Sequence, residues 1–88
     1  MKEFTCKIID PIGLHARPAT LIVSTASKFK SDAKLSSGGK EGNLKSIMNI
    51  MALGVKSGAE VTIKISGEDE EAAMAALQEA LKSNNLID

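Results

Sequence analysis

The chain has 88 residues, which is enough for one folded domain but too few for a second core, so we predict a single domain over residues 1–88. It carries 11 Lys and Arg and 11 Asp and Glu, and this zero net charge excludes a general attraction to nucleic acid. No apolar run approaches the roughly 20 residues of a membrane helix, and the charged N-terminal segment is unlike a signal peptide. We therefore expect a cytoplasmic protein with no direct membrane insertion.

The first half of the chain predicts a strand, a turn and a helix. Residues 3–9 alternate between apolar and polar side chains, which is typical of a strand, and Pro and Gly in the segment 10–13 indicate a turn. Apolar side chains at helical spacing then follow over residues 16–29. Pro18 falls in the first turn of that helix, where its missing N–H would have had no intrahelical acceptor.

The middle of the chain predicts a hairpin and a short helix. A strand begins near Ala33 and returns through residues 40–43 after a turn at Ser37-Gly38-Gly39-Lys40. Ser46 is a preferred N-cap residue and opens a helix that Gly54 can close.

The last elements complete an α+β fold. Residues 60–66 alternate as a strand, and an acidic turn over residues 68–71 opens the final helix. The apolar stripe of that helix is expected to consist of Ala73, Leu77, Ala80 and Leu81. The order is β-α-β-β-α-β-α, and each element has a single apolar face. This pattern predicts a two-layer open-faced sandwich, in which three helices cover one face of a four-stranded antiparallel sheet.

The chain contains one histidine and one cysteine, so a disulfide within the chain is impossible and no metal site is expected. Cys6 alternates with Phe4 and Ile8, which indicates an unreactive thiol in the core. His15, in contrast, stands near the predicted start of the first helix. The partial positive charge there favours a neutral, nucleophilic ring, and the first N–H groups can bind an anion.

Arg17 follows His15 by two residues and carries a guanidinium suited to phosphate oxygens. A surface histidine beside a solvated arginine is the alternative interpretation of these residues. The residue sequence around His15 decides between a phosphate-accepting site and a solvated surface pair. Residues 13–20, GLHARPAT, resemble the active-site signature of HPr, the histidine-containing phosphocarrier family of the bacterial phosphoenolpyruvate:sugar phosphotransferase system (PTS). Residues 43–54, NLKSIMNIMALG, resemble the second signature of that family, around its regulatory serine.

The resemblance implies a phosphoryl carrier rather than an enzyme with its own turnover. His15 would be phosphorylated at Nδ1 by phospho-enzyme I and would pass the phosphoryl group to a sugar-specific enzyme IIA. Arg17 and the helix start at Ala16 and Pro18 would steady the phosphate. The covalent phosphoryl group on His15 would be the only prosthetic group, and no other cofactor is expected.

The resemblance also implies that Ser46 is a regulatory phosphorylation site. An HPr kinase/phosphorylase would modify it, and the phosphate would weaken docking to enzyme I. In some relatives the modified form binds a catabolite-control transcription factor. The N-cap role and the regulatory role of Ser46 are compatible, because a phosphate is tolerated at the positive end of a helix.

The helix after Ser46 has almost no polar face, so part of it is expected to remain exposed as a partner site. Residues 1–50 hold eight Lys and Arg against four Asp and Glu, which suits an acidic partner. We expect a monomer whose docking surface is left open for several proteins. The predicted partner-binding residues are Thr20, Leu21, Lys45, Ile47, Met48 and Met51, with Lys28 adding to a basic rim.

Other functions fit less well. A purely regulatory binding module acting through Ser46 and the apolar helix is the main alternative, and it would not need His15. A nucleic-acid-binding domain lacks a basic excess and aromatic residues, and a hydrolase lacks a triad pattern. One departure from the family is Ile12, where many members have a small polar residue, so capping by that side chain is not expected.

Overall fold

The structure, a computed structural model, describes residues 1–87. The alternating and helical apolar patterns form seven elements in the predicted order. They are β1 (Lys2–Lys7), α1 (Ala16–Ala26), β2 (Asp32–Ser37), β3 (Lys40–Asn43), α2 (Ile47–Ala52), β4 (Glu60–Ser66) and α3 (Glu70–Ser83). No helix within residues 1–87 is long and apolar enough to cross a membrane.

The strands form one antiparallel sheet in the order β1-β4-β2-β3. The period-two pattern of β4 turns Val61, Ile63 and Ile65 toward the helices, and each is at most 2% exposed. The opposite face is polar: the hydroxyls of Thr5 and Thr62 on neighbouring strands lie 3.0 Å apart. The predicted two-layer α+β sandwich is therefore confirmed.

The C-terminal ends of β1 and α1 are set by backbone hydrogen bonds and not by the pattern of apolar side chains. β1 ends at Lys7, not at residue 9, because the N–H groups of Ile8 and Ile9 donate to the carbonyls of Ala59 and Leu86, at 2.9 and 2.8 Å. α1 ends at Ala26, not at residue 29, since the N–H groups of Lys28 and Phe29 bond three residues back, in a turn, and not four residues back as in an α-helix.

The final helix also differs in detail from the prediction. It begins at Glu70, with Asp69 at the N-cap position, two residues later than predicted. Ala80 is half-buried and Met74 is buried instead, because the buried stripe of α3 runs through Ala73, Met74, Leu77 and Leu81.

The connection between β4 and α3 is joined to the connection between α1 and β2 by a carboxylate. Asp69 accepts hydrogen bonds from the N–H groups of Lys30 and Ser31, both at 2.9 Å, and from the Ser31 hydroxyl. These bonds lower the pKa of Asp69 from 3.8 to about 2, and the bond from the Ser31 hydroxyl has the largest effect. The ionised form is therefore the one that the fold stabilises.

We predict that Asp69 makes the stability of the protein depend on pH in acid. A pKa that is lower in the folded chain contributes stability above the ordinary value of 3.8, and this contribution is lost as the pH falls toward about 2. Urea unfolding of the wild type and of Asp69→Asn, measured from neutral pH downward, should show a wide gap in midpoint that narrows through this range. A gap of constant width down to pH about 2 would contradict the assignment.

Candidate functional site

The loop of residues 8–15, which leads from β1 to α1, seats His15 on the rest of the fold. The N–H of Leu14 donates to the carbonyl of Val55 at 3.0 Å, and the N–H of Gly13 donates to the carbonyl of Asp10 at 2.9 Å. Gly13 has φ +89°, and a Cβ atom there would lie 2.5 Å from the Val55 carbonyl oxygen. The close approach of the two segments therefore requires glycine.

His15 occupies the N-cap position of α1, as the sequence predicted. Its extended backbone, with φ −94° and ψ −169°, lets its carbonyl accept the first intrahelical bond, from the Ala19 N–H at 3.0 Å. Its side chain makes no capping bond, and a third of that side chain is exposed. The ring nitrogens therefore have no part in stabilising the helix.

The start of α1 places hydrogen-bond donors beside this ring. In an α-helix the first N–H groups lack intrahelical acceptors, and here they belong to Ala16 and Arg17, both exposed. Pro18 has no N–H and is buried, where its fixed φ helps to set the first turn. A depression of about 520 Å³ opens beside His15 and is lined by Arg17, Ile12, Leu21, Asn84 and Leu86, among others. An anionic group on His15 would therefore meet a guanidinium and a helix N-terminus.

Asp10 is a site residue that the sequence analysis did not identify. Its carboxylate oxygen Oδ1 accepts a hydrogen bond from the N–H of Ile12 at 2.9 Å and lies 3.8 Å from Nε2 of His15. Ile12 itself is 70% exposed and has no polar group in its side chain, so the loop is capped from Asp10 instead. Aspartate two residues before the capped N–H is a known turn signal, and it could have been found in the segment Asp10-Pro11-Ile12.

Ser46 is the N-cap of α2, as predicted, and its hydroxyl oxygen is already engaged. Oγ accepts from the N–H of Asn49 at 3.3 Å and from the side-chain amide of the same residue at 3.1 Å. The amide oxygen of Asn49 accepts in turn from the N–H of Asn43 at 3.2 Å. Asn49 therefore links Ser46 to the end of β3, and the amino-acid sequence did not indicate this role.

The exposed part of α2 forms the apolar surface, which we define as Ile47, Met48 and Met51. These side chains are 40%, 81% and 43% exposed, whereas Ile50 beneath them is fully buried. This distribution confirms that the helix buries one stripe and leaves the other outside. Because α2 packs against α1, the apolar surface lies on the helix next to the one that His15 caps.

The remaining predicted partner residues differ in their exposure and in the hydrogen bonds that they make within the fold. Thr20 is exposed, and its hydroxyl donates to the carbonyl of Ala16 at 2.8 Å, while Leu21 is half-buried and lines the depression beside His15. The ammonium of Lys45 donates to the carbonyl of Phe29 at 2.8 Å and so closes the end of the α1–β2 connection. Lys28 is exposed. Lys45 therefore has a structural partner, the Phe29 carbonyl, that the amino-acid sequence did not indicate.

Comparison with known proteins places the chain in a family. A family profile described as the PTS HPr component phosphorylation site matches residues 2–83. The phosphocarrier protein HPr of Mycoplasma genitalium is 51% identical over 88 residues, which cover 99% of this chain and 100% of the relative. A solved structure of the histidine-containing phosphocarrier protein, studied for the divergence of Mycoplasma from Gram-positive bacteria, superposes with a TM-score of 0.97 at 42% identity, covering 99% of both chains. The catabolite repression protein Crh of Bacillus subtilis, an intertwined dimer, is 41% identical with a TM-score of 0.74, covering 98% of this chain and 99% of that one.

The chain belongs to the HPr family of PTS phosphocarrier proteins. The resemblance drawn from the segments GLHARPAT and NLKSIMNIMALG is thereby confirmed over nearly the whole length of the chain.

Proposed function

We propose that this protein accepts a phosphoryl group from phospho-enzyme I on His15 and passes it to a sugar-specific enzyme IIA. The observation that carries the proposal is the position of His15 in a chain of this family. Its ring makes no capping bond, and it stands at the start of α1 beside Arg17 and an open depression. A nucleophile placed in this way can be reached by a partner protein without a conformational change in the carrier.

The transfer divides one long step into two short ones. In the first, the lone pair of a His15 ring nitrogen attacks the phosphorus, and the bond between phosphorus and the donor breaks, its electron pair staying with the donor. The N–H groups at the start of α1 and the guanidinium of Arg17 would then bind the new phosphoryl oxygens. In the second step the phosphorus–nitrogen bond breaks and the group leaves to the acceptor. Exposed donors stabilise the adduct without burying it, so it remains transferable.

This mechanism needs no cofactor beyond the covalent phosphoryl group, and the protein is not an enzyme with turnover of its own. We expect a monomer, because the surfaces around His15 and on α2 are then open to successive partners. The intertwined Crh dimer provides the contrasting arrangement.

The proposal is tested by incubating the protein with phosphoenolpyruvate and purified enzyme I, and then with an enzyme IIA. We expect one acid-labile phosphoryl group per chain, seen by intact mass, and its loss when the enzyme IIA is added. An unlabelled protein, with an enzyme I that phosphorylates another HPr, would contradict the carrier function.

A second candidate function is a purely regulatory module, and the exposure of the apolar surface favours it. A regulatory role that is not exclusive is compatible with the carrier function, and we propose that Ser46 connects the two. Its phosphorylation by an HPr kinase/phosphorylase would place about −1.5 to −2 charges beside Ile47 and Met48, which would oppose docking to an acidic enzyme I. The same charge would provide a recognition feature for a catabolite-control transcription factor.

We predict that Ser46→Asp slows phosphorylation by enzyme I about threefold to tenfold, because a like charge at a docking surface lowers the association rate. The matched control is Ser46→Asn, which keeps a good N-cap without the charge. Rates are measured with limiting enzyme I at low and high salt, and the difference should shrink at high salt. Equal rates for the two variants at low salt would argue against an electrostatic role for Ser46.

A further inference from the structure

We propose that Asp10 is a positioning residue for phosphoryl transfer: its carboxylate keeps the proton of the neutral His15 ring on Nε2 and so leaves Nδ1 free to attack. The inference rests on the proposed function, because it concerns the same histidine. It assigns to this chain a residue outside the two signature segments, and it rests on the geometry of the β1–α1 loop.

The carboxylate of Asp10 is held in place from within its own loop. Its Oδ1 accepts the N–H of Ile12 at 2.9 Å, and the side chain is 22% exposed. This bond leaves Oδ1 with capacity for a second donor, and Nε2 of His15 lies 3.8 Å away. Bonds to a catalytic group are often long before the partner docks and shorten when charge develops.

The two nitrogens of a neutral imidazole are not equivalent, since one carries the proton and the other the lone pair. A carboxylate facing Nε2 stabilises the form with the proton there, because an N–H donates to it and a lone pair is repelled by it. Among the residues of the segment 1–87 that line the depression, the other charged side chain is Arg17, which cannot accept a proton or a hydrogen bond. Asp10 is therefore the group that can select the ring form.

The proton on Nε2 keeps both half-reactions free of proton transfer. Attack by the Nδ1 lone pair breaks the bond between phosphorus and the donor and leaves a phosphorylated ring with N–H on Nε2 and a positive charge. That charge then faces the Asp10 carboxylate, which stabilises it. When the phosphoryl group leaves, the electron pair of the phosphorus–nitrogen bond returns to Nδ1 and the neutral ring is restored. The opposite ring form would have to lose a proton from Nδ1 before it could react.

The test compares Asp10→Asn with the wild type. Asparagine keeps an oxygen that can accept the Ile12 N–H but loses the negative charge, so a role limited to the turn predicts no change. The ring form is read from the ¹⁵N shifts of the two His15 nitrogens, at a pH where the ring is neutral. Since a negative charge 3.8 Å from Nε2 favours a proton on that nitrogen and a neutral amide does so much less, we expect the ratio of Nδ1–H to Nε2–H to rise about threefold to tenfold in the variant. Phosphorylation by enzyme I should slow in proportion to the fall in the fraction of rings that carry the proton on Nε2.

Glu68→Gln is the matched control, because it also removes one negative charge from an exposed carboxylate. Glu68 is adjacent to Asp69, which binds the chain just beyond the end of α1, whereas His15 caps the start of that helix. The 11 residues of α1 separate the two places by roughly 16 Å, so this control should leave the ring form unchanged.

The outcomes separate the inference from the function on which it rests. An unchanged ring form in Asp10→Asn would overturn the positioning role, whatever the rate of phosphorylation. A changed ring form with an unchanged rate would overturn it as well, because the selection of Nδ1 would then have no effect on transfer. If the wild type accepts no phosphoryl group, the carrier function fails.

Discussion

Replacing His15 with alanine is expected to abolish phosphoryl acceptance while leaving the fold intact. The side chain makes no capping bond, so its removal costs no helix cap, but two-thirds of it is buried and those contacts are lost. We expect the free energy of unfolding to fall by about 1–2 kcal/mol, which still leaves the chain folded. The chain has no second histidine to take over the phosphoryl group. Acceptance is measured with phosphoenolpyruvate and enzyme I, and stability by urea unfolding of the same preparation.

This variant also separates the carrier from a regulatory module. A module that acts through Ser46 and the apolar surface would keep its partners when His15 is removed, since the two surfaces are on different helices. An acid-labile label that persists in His15→Ala would place the acceptor elsewhere in the chain. A variant that unfolds would show that the ring supports the loop in a way that its contacts do not indicate.

Gly13→Ala is expected to be the most damaging single-methyl substitution in the β1–α1 loop. The new Cβ atom would lie 2.5 Å from the Val55 carbonyl oxygen and 2.8 Å from Cα of Lys56, and both contacts are with backbone. The residue also has φ +89°, which side chains rarely adopt. Strain of about 1–2 kcal/mol and a clash of about 1–3 kcal/mol together predict a loss of about 2–5 kcal/mol of stability.

The matched control is Gly39→Ala in the β2–β3 turn. Gly39 has φ +84°, close to that of Gly13, but a Cβ atom there would meet nothing within 4 Å. Its substitution should therefore cost only the strain, about 1–2 kcal/mol. The difference between the two variants in urea unfolding measures the steric contact with Val55 and Lys56. We also expect Gly13→Ala, but not Gly39→Ala, to slow phosphorylation, because His15 follows this contact by two residues. Equal losses of stability would mean that the loop moves away without penalty.

The sequence was most informative where the cause of a structure is local. The strict alternation of residues 60–66 predicted both ends of β4 correctly, because alternate side chains of a strand point to opposite faces and the apolar ones are buried. Ser46 predicted the start of α2 for the same reason, since an N-cap acts on an N–H three residues away. His15 could be placed at the start of α1 from the adjacent turn and Pro18.

What the sequence did not predict depends on segments that meet only after folding. The end of β1 is decided by backbone bonds to Ala59 and Leu86, and the α1–β2 connection is held by the Asp69 carboxylate, which is 38 residues from Ser31. The bond between Lys45 and the Phe29 carbonyl spans 16 residues and has no local pattern. Such long-range hydrogen bonds depend on the packing of the whole chain, so neither residue spacing nor secondary-structure propensity predicts them.

The loop that carries His15 is bound to the rest of the fold at separate points, through Ile8, Ile9 and Leu14. Ordering a backbone residue costs roughly 1–2 kcal/mol, and here that entropy is lost once, during folding. Two partners that dock in succession should then meet the same rigid geometry, and neither association should wait for a rearrangement of the loop. The rate of the relay would accordingly be set by encounters in solution and by the release of each partner, so it should vary with solvent viscosity more than with the flexibility of the carrier.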